Sequence, residues 1–260
     1  MPTQAELKAF LDDKAARYNN PAFVELDPIQ VPHSFTLKED IEISGFLAAT
    51  IAWGNRASIV KNAKRMMGYL GASPYDFILH HNEKHLEKME GFVHRTFNST
   101  DLLTFVEGLK HLYKDEKGLE GVFMRYQTKT SLQPAIHELK SEFFKIPHLK
   151  RTLKHLPDPL TGSAAKRINM FLRWMVRNDD RGVDFGIWKS VSPSILSCPL
   201  DVHSGNVARK LGILTRKQND AKAVAELDAV LRSFDPEDPV KYDFALFGTG
   251  IDNHNCVFPD

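Results

Sequence analysis

Cysteine is nearly absent from this 260-residue chain: Cys198 and Cys256 are its two thiols, and no Cys-x-x-Cys pair occurs. That excludes a four-thiolate zinc site and a cysteine-held iron–sulfur cluster. A chain of this length needs neither, because it can bury roughly 70 to 75% of the surface its unfolded form exposes. An excess of charge of one sign is also missing. The 34 basic and 33 acidic residues leave a formal net charge of +1. A non-specific polycation is therefore excluded, and any nucleic-acid contact must rest on a local patch, since affinity follows the phosphates neutralised rather than the total lysine content. Long apolar runs are lacking too. Near the N-terminus the longest stretch without a charge, Ile43 to Asn55, covers about a dozen residues, where a membrane-spanning helix needs about 20. Met1 to Asn19 is amphipathic and charged, without the apolar block and cleavage site of an export signal. The expectation is a cytoplasmic protein with no membrane partner.

What is present is an ordinary globular composition, 42% apolar and 26% charged, with apolar residues recurring at three and four positions along most of the chain. Strand-like alternation is scarce. Lys38 to Trp53 carries Ile43, Phe46, Leu47, Thr50 and Ile51 on one side; Ser58 to Leu70 follows after a break at Gly54-Asn55, and the two predict a helical hairpin. Asn98 to Asp101 offers helix caps before Leu102, Phe105, Val106 and Leu109, and Ser131 to Phe144 is a further amphipathic segment. Near the end, Asn219-Asp220 precede a stripe of Ala223, Val224, Leu227 and Leu231, and Asp235-Pro236 is expected to open a last helix through Tyr242 to Phe247.

Two segments depart from this pattern. In Leu156-Pro157-Asp158-Pro159-Leu160-Thr161-Gly162-Ser163-Ala164-Ala165-Lys166, a proline-rich turn ends at Gly162 and feeds a helix whose cap is expected at Ser163, with Lys166 near its third position. In Cys198-Pro199-Leu200-Asp201-Val202-His203, Asp201 stands where a helix cap belongs. A lysine at a helix start faces the positive end of the peptide dipoles. This works against the ammonium form, and burial in a cleft adds to the effect, leaving an amine able to attack an electrophilic carbon. A carboxylate in that place is favoured as the anion and suits a cationic, oxocarbenium-like transition state. The bland readings stand beside these: an exposed lysine and a simple cap. On the helix after Ser163 the apolar stripe Ile168, Phe171, Leu172, Met175 and Val176 leaves Lys166, Asn169, Arg173 and Arg177 on another face, either a ridge toward phosphates or a solvated surface.

Gly162-Ser-Ala-Ala-Lys166 followed by Pro199-Leu-Asp201-Val-His203 resembles the helix-hairpin-helix/GPD superfamily of DNA glycosylases, most closely its 8-oxoguanine glycosylase/lyase members. As a whole the sequence also looks like a bacterial family that carries only a domain-of-unknown-function label. The resemblance runs over about Lys38 to Cys256. It implies an all-α, two-lobed fold, with an N-terminal helical extension over 1–37, a helical lobe over 38–145 and a hairpin-helix lobe over 146–260, the terminal segments meeting in one lobe. It implies base excision with associated abasic-site lyase activity on damaged double-stranded DNA, the favoured lesion being an oxidised purine such as 8-oxoguanine. Lys166 would be the nucleophile and Asp201 its catalytic carboxylate. Gly162 and His203 would contact phosphate, Asn55 or Arg56 would fill the gap left by the extruded base, and Phe247 with Asp243 would wall the base pocket, although Phe247 shares a core-like helical spacing with Val240 and Phe244. No cofactor, metal or iron–sulfur cluster is implied, and a monomer is expected. The sequence departs from the family in its longer hairpin, where Asp158-Pro159-Leu160-Thr161 precede Gly162, and in Cys256 standing alone. Two rivals are a non-catalytic DNA-binding protein of the same fold and a metal-dependent phosphohydrolase built on Asp201-x-His203, Asp252-x-His254, His80-His81 and His94. The usual His-Asp dipeptide of the latter is absent.

Overall fold

The computed structural model describes residues 2–115 and 117–252; His254 and Cys256 lie outside the described residues. The chain is all-α. Among the described residues thirteen α-helices occur: α1 Gln4–Tyr18, α2 Pro21–Leu26, α3 Lys38–Thr50, α4 Arg56–Leu70, α5 Pro74–His80, α6 Glu83–Glu87, α7 Ser99–Asp115, α8 Gly118–Tyr126, α9 Gln133–Phe143, α10 Lys166–Val176, α11 Val202–Lys210, α12 Ala221–Phe234 and α13 Tyr242–Ile251. The described strands are β1 Val93–His94 and β2 Phe97–Asn98, an antiparallel hairpin. No described helix is long and apolar enough to cross a membrane.

The chain divides into two compact units. The first holds the N-terminal stretch up to Phe23, the short segment Lys129–Gln133 and the described chain from Pro159 onward. Here α1 and α11 both pack on α13, and two glycines permit the approach. A Cβ on Gly248 would stand 2.3 Å from the Tyr18 ring, and one on Gly250 would stand 3.0 Å from the His203 Cβ. The core of this unit is laid down by α10, whose Phe171, Trp174 and Met175 are fully buried. Phe171 meets Trp188 edge to face at 5.5 Å. The return after α10 is irregular. Its amides complete the helix end instead, Phe185 N–H donating to Trp174 O at 2.8 Å and Trp188 N–H to Met175 O at 2.9 Å.

The second unit comprises Val24–Thr128 and Pro134–Asp158. Its centre is α3, buried from Asp40 to Thr50, which packs against α4 and α5. Aromatic rings fill the space beside it, with Phe46 and Phe105 stacked at 6.0 Å and Phe105 4.9 Å from Phe143. Gly108 makes room for Phe143, whose ring would lie 2.6 Å from any Cβ there. Buried charge is satisfied locally: Asp101 accepts hydrogen bonds from Thr152 and Arg151 side chains, both at 2.7 Å.

The last helix begins at Tyr242, later than the Asp235-Pro236 start the sequence suggests. The reason is local. The Asp235 carboxylate accepts the N–H groups of Glu237 and Asp238, both at 3.0 Å, closing a turn that competes with helix.

Candidate functional site

Lys166 opens α10, correcting the expected Ser163 cap and the third-position lysine. Ser163 is bridged to Asp220 in an antiparallel pair, and its hydroxyl accepts Ala165 N–H at 3.1 Å. Ala165 then adopts φ 47°, ψ 32°, a left-handed conformation that a right-handed helix cannot incorporate and that costs an alanine about 1 kcal/mol or more. The helix is thereby forced to start one residue on, and Lys166 takes its first turn. The lysine is half-buried. Its Nζ lies 3.4 Å from the Met170 sulfur one turn later, and among the described residues no carboxylate is within salt-bridge distance of it. The amine is therefore not committed to an internal ion pair.

Asp201 caps α11 as expected, its Oδ1 accepting Ser204 N–H at 3.0 Å while its own N–H donates to the Ser204 hydroxyl at 2.9 Å. Asn219 Nδ2 pins the Asp201 carbonyl at 2.8 Å. Capping uses Oδ1 and leaves Oδ2 without a hydrogen bond among the described residues. Gly162, at φ 100°, needs the freedom of glycine for its turn. Its N–H donates to Pro159 O at 3.0 Å and its carbonyl accepts Ala221 N–H at 3.1 Å, so both of its backbone groups are engaged inside the protein.

Asp243 links the two catalytic candidates. It is buried and held by Arg173 Nη1 at 2.5 Å. Burial pushes its carboxyl up to about 6, against the pull of the Arg173 and Lys166 charges and with a further push from Asp201. The charges of Lys166 and Asp201 thus act on the same buried carboxyl in opposite directions. Cys198 belongs to the same neighbourhood: its thiol lies 4.0 Å from Asp243 Oδ1, and burial first, then Asp243 and Asp228, raise it well above the ordinary thiol value. This thiol is inert at neutral pH. His203 is exposed, its ring 6.3 Å from that of Phe247 in an edge-to-face arrangement. Phe247 is half-buried and also meets Phe23 at 6.3 Å. Asn55 and Arg56 belong to the second unit, where the Asn55 side chain caps α4 by accepting Ser58 N–H at 3.1 Å.

The polar face of α10 is neither a phosphate ridge nor a solvated surface beyond Lys166. Arg173 is 2% exposed and Arg177 4% exposed. Arg173 Nε reaches Asp184 at 3.2 Å, and its guanidinium lies 4.2 Å from the centre of the Phe244 ring. Arg177 Nη1 meets Asp184 at 3.1 Å and Asp179 at 2.6 Å, and its Nε meets Asp238 at 2.9 Å. Although burial works against its charge, these three carboxylates hold Arg177 protonated above the usual range. Asp184 is itself pushed up by burial despite both arginines. The network converts two apparent surface cations into the internal brace that fixes Asp243, a role sequence reasoning missed. The one available signal was the arginine pair at i and i+4 followed closely by Asp179, Asp180 and Asp184.

Among the described residues no group of three or more histidine, cysteine, aspartate or glutamate side chains is arranged to hold a metal ion. Residues 27–252 match the model of a family described as a protein of unknown function (DUF2400). No curated protein and no solved structure matches the chain.

Proposed function

Because the chain belongs to the DUF2400 family, whose description assigns no activity, its chemistry has to be read from its own side chains, and we propose that it is a DNA base-excision glycosylase with abasic-site lyase activity, acting on an oxidised purine such as 8-oxoguanine in duplex DNA. The observation that carries this reading is the placement of Lys166: half-buried at the start of α10, directly after the left-handed Ala165, with no carboxylate in salt-bridge reach among the described residues.

An extruded base costs a few kcal/mol of stacking, least at a lesion. The Lys166 amine then forms a bond to the sugar C1′ while the glycosidic bond breaks and the base departs with the electron pair, taking up a proton. Asp201, with Oδ2 uncommitted, stabilises the positive charge that develops on the sugar. Ring opening gives a Schiff base between Lys166 and C1′, and loss of a proton from C2′ expels the 3′ phosphate. His203 on the exposed start of α11 contacts backbone phosphate, and the Phe247 ring beside it lines the base pocket. Asp243 is buried and braced by Arg173, which favours a positioning role behind Lys166 and Asp201.

A DNA-binding protein without chemistry is the second reading, favoured by the structural use of the Asp201 carboxylate, whose Oδ1 is taken up in capping α11. Borohydride reduction in the presence of duplexes bearing oxidised, alkylated or abasic sites separates the two. A covalent protein–DNA adduct from wild type and none from Lys166→Gln is the expected result. Folded wild-type protein that binds every duplex equally and traps none would leave only the binding reading.

A further inference from the structure

With Arg173 and Arg177 turned inward, a cationic surface has to be found elsewhere, and α4 supplies one. From Ile43 to Tyr75 the sequence contains no aspartate or glutamate, while α4 carries Arg56, Lys61, Lys64 and Arg65. The apolar stripe of this helix, Ile59, Ala63, Met66, Met67 and Leu70, is buried. Lys61, Lys64 and Arg65 fall on the opposite side and are exposed.

The hairpin adds a further cation. His94 is buried, and its Nδ1 accepts from Asn62 Nδ2 of α4 at 3.0 Å. The ring proton then sits on Nε2, which donates to the Trp53 carbonyl at 3.2 Å. Burial, and Arg95 beside it, keep this imidazole neutral by lowering its proton affinity, so the two bonds hold the hairpin tip against α4 and the loop before it. Arg95 follows at φ 54°, and its Nη1 lies 2.8 Å from where a Gly54 Cβ would stand. The exposed guanidinium is thereby laid over bare backbone next to the start of α4. Among the described residues Lys61, Lys64, Arg65 and Arg95 make no salt bridge, whereas Arg151, Arg173, Arg177 and Arg216 each have a carboxylate partner.

From this unneutralised group we infer that the outer face of α4, together with Arg95 of the hairpin, is a contact surface for the phosphodiester backbone of duplex DNA; the inference rests on the proposed function and names where the second unit meets that substrate. Charge complementarity selects a polyanion. A membrane surface fits poorly, because a helix that lies on lipid must offer its apolar face, and that of α4 is buried inside the unit. The two arginines suit phosphate, whose oxygens they can engage in pairs.

The test is fluorescence anisotropy of a short labelled duplex titrated with wild type, with Lys61→Ala/Lys64→Ala/Arg95→Ala, and with Lys222→Ala as an exposed control, across a range of salt. The triple variant is expected to unfold at the wild-type temperature, to bind at low salt on the order of ten-fold more weakly, and to show a slope of log K against log salt smaller by about 2 to 3. Borohydride trapping by the Lys222→Ala control should stay at the wild-type level. An unchanged slope and affinity would overturn the surface while leaving the glycosylase reading intact. Lost affinity in the triple variant, with no trapping by wild type on any lesion, would keep the surface and remove the lyase. Binding of wild type to anionic vesicles but to no duplex would overturn both.

Discussion

Replacing Arg173 with methionine keeps the bulk of the side chain and deletes its charge. Two buried carboxylates then lose a partner: Asp184, 3.2 Å from Nε, and Asp243, 2.5 Å from Nη1. Breaking a buried ion pair from one side costs about 3 to 5 kcal/mol. The guanidinium over Phe244 adds up to about 2 kcal/mol in a desolvated place, and Arg177, which still reaches Asp184 at 3.1 Å, offsets part of the loss. A destabilisation of about 3 to 4 kcal/mol near pH 8 follows. The pH dependence is the sharper signature. Burial already holds Asp243 up to about 6, and removing its cation raises it further. An acid whose folded value exceeds its unfolded value binds its proton more tightly in the native state, so it costs stability increasingly as pH rises between the two values. Urea unfolding of wild type and variant at about pH 5 and pH 8 should therefore show the smaller loss at the lower pH, by as much as about 1.4 kcal/mol per unit within the titrating range. Arg173→Met/Asp243→Asn should recover a good part of the deficit near pH 8. A loss below about 1 kcal/mol, or one identical at both pH values, would refute the brace.

The close approach of α1 to α13 predicts that Gly248→Ala, whose Cβ would fall 2.3 Å from the Tyr18 ring, costs about 1 to 3 kcal/mol in thermal unfolding. In a Tyr18→Ala background the same change should cost little, and equal costs in both backgrounds would rule out the clash. Asp228 is pushed from 3.8 up to about 6 by burial, against the Cys198 N–H bond it accepts at 2.9 Å. By the same sign it withdraws stability as pH rises through that interval, by up to about 3 kcal/mol. Asp228→Asn can still accept that bond, so its stability should vary less from about pH 4 to pH 7 than that of wild type; an undiminished slope would contradict the assignment.

Helix-forming patterns were legible where one side of a segment is continuously apolar. The expected spans over Lys38 to Trp53, Ser58 to Leu70 and Ser131 to Phe144 correspond to α3, α4 and α9, because burial of one face is what the spacing encodes. Helix ends were less legible. An alanine gives no sign in sequence that it will adopt a positive φ, so the start of α10 at Lys166 instead of a capping Ser163 could not be read. The competition that delays α13 is a pair of hydrogen bonds to Asp235, equally compatible with a helix cap until the turn is seen. The misreading of Arg173 and Arg177 has a different origin. Their spacing marks them as lying off the apolar stripe, but whether a polar stripe faces water or buried acids depends on partners as distant as Asp238 and Asp243. Asp201 as a cap was legible because a cap is a local hydrogen bond. The joint influence of Lys166 and Asp201 on a buried Asp243 was not, because it is assembled from three separate helix starts.

The most direct measurement is peptide mapping by mass spectrometry of whatever covalent species borohydride leaves on wild-type protein mixed with a duplex carrying an oxidised purine. A reduced sugar remnant on the peptide that contains Lys166, absent from Lys166→Gln and slow to form in Asp201→Asn, is the expected result. A remnant on any other lysine, or on the N-terminal amine, with Lys166 unmodified in folded protein, would contradict the assignment of this side chain as the nucleophile.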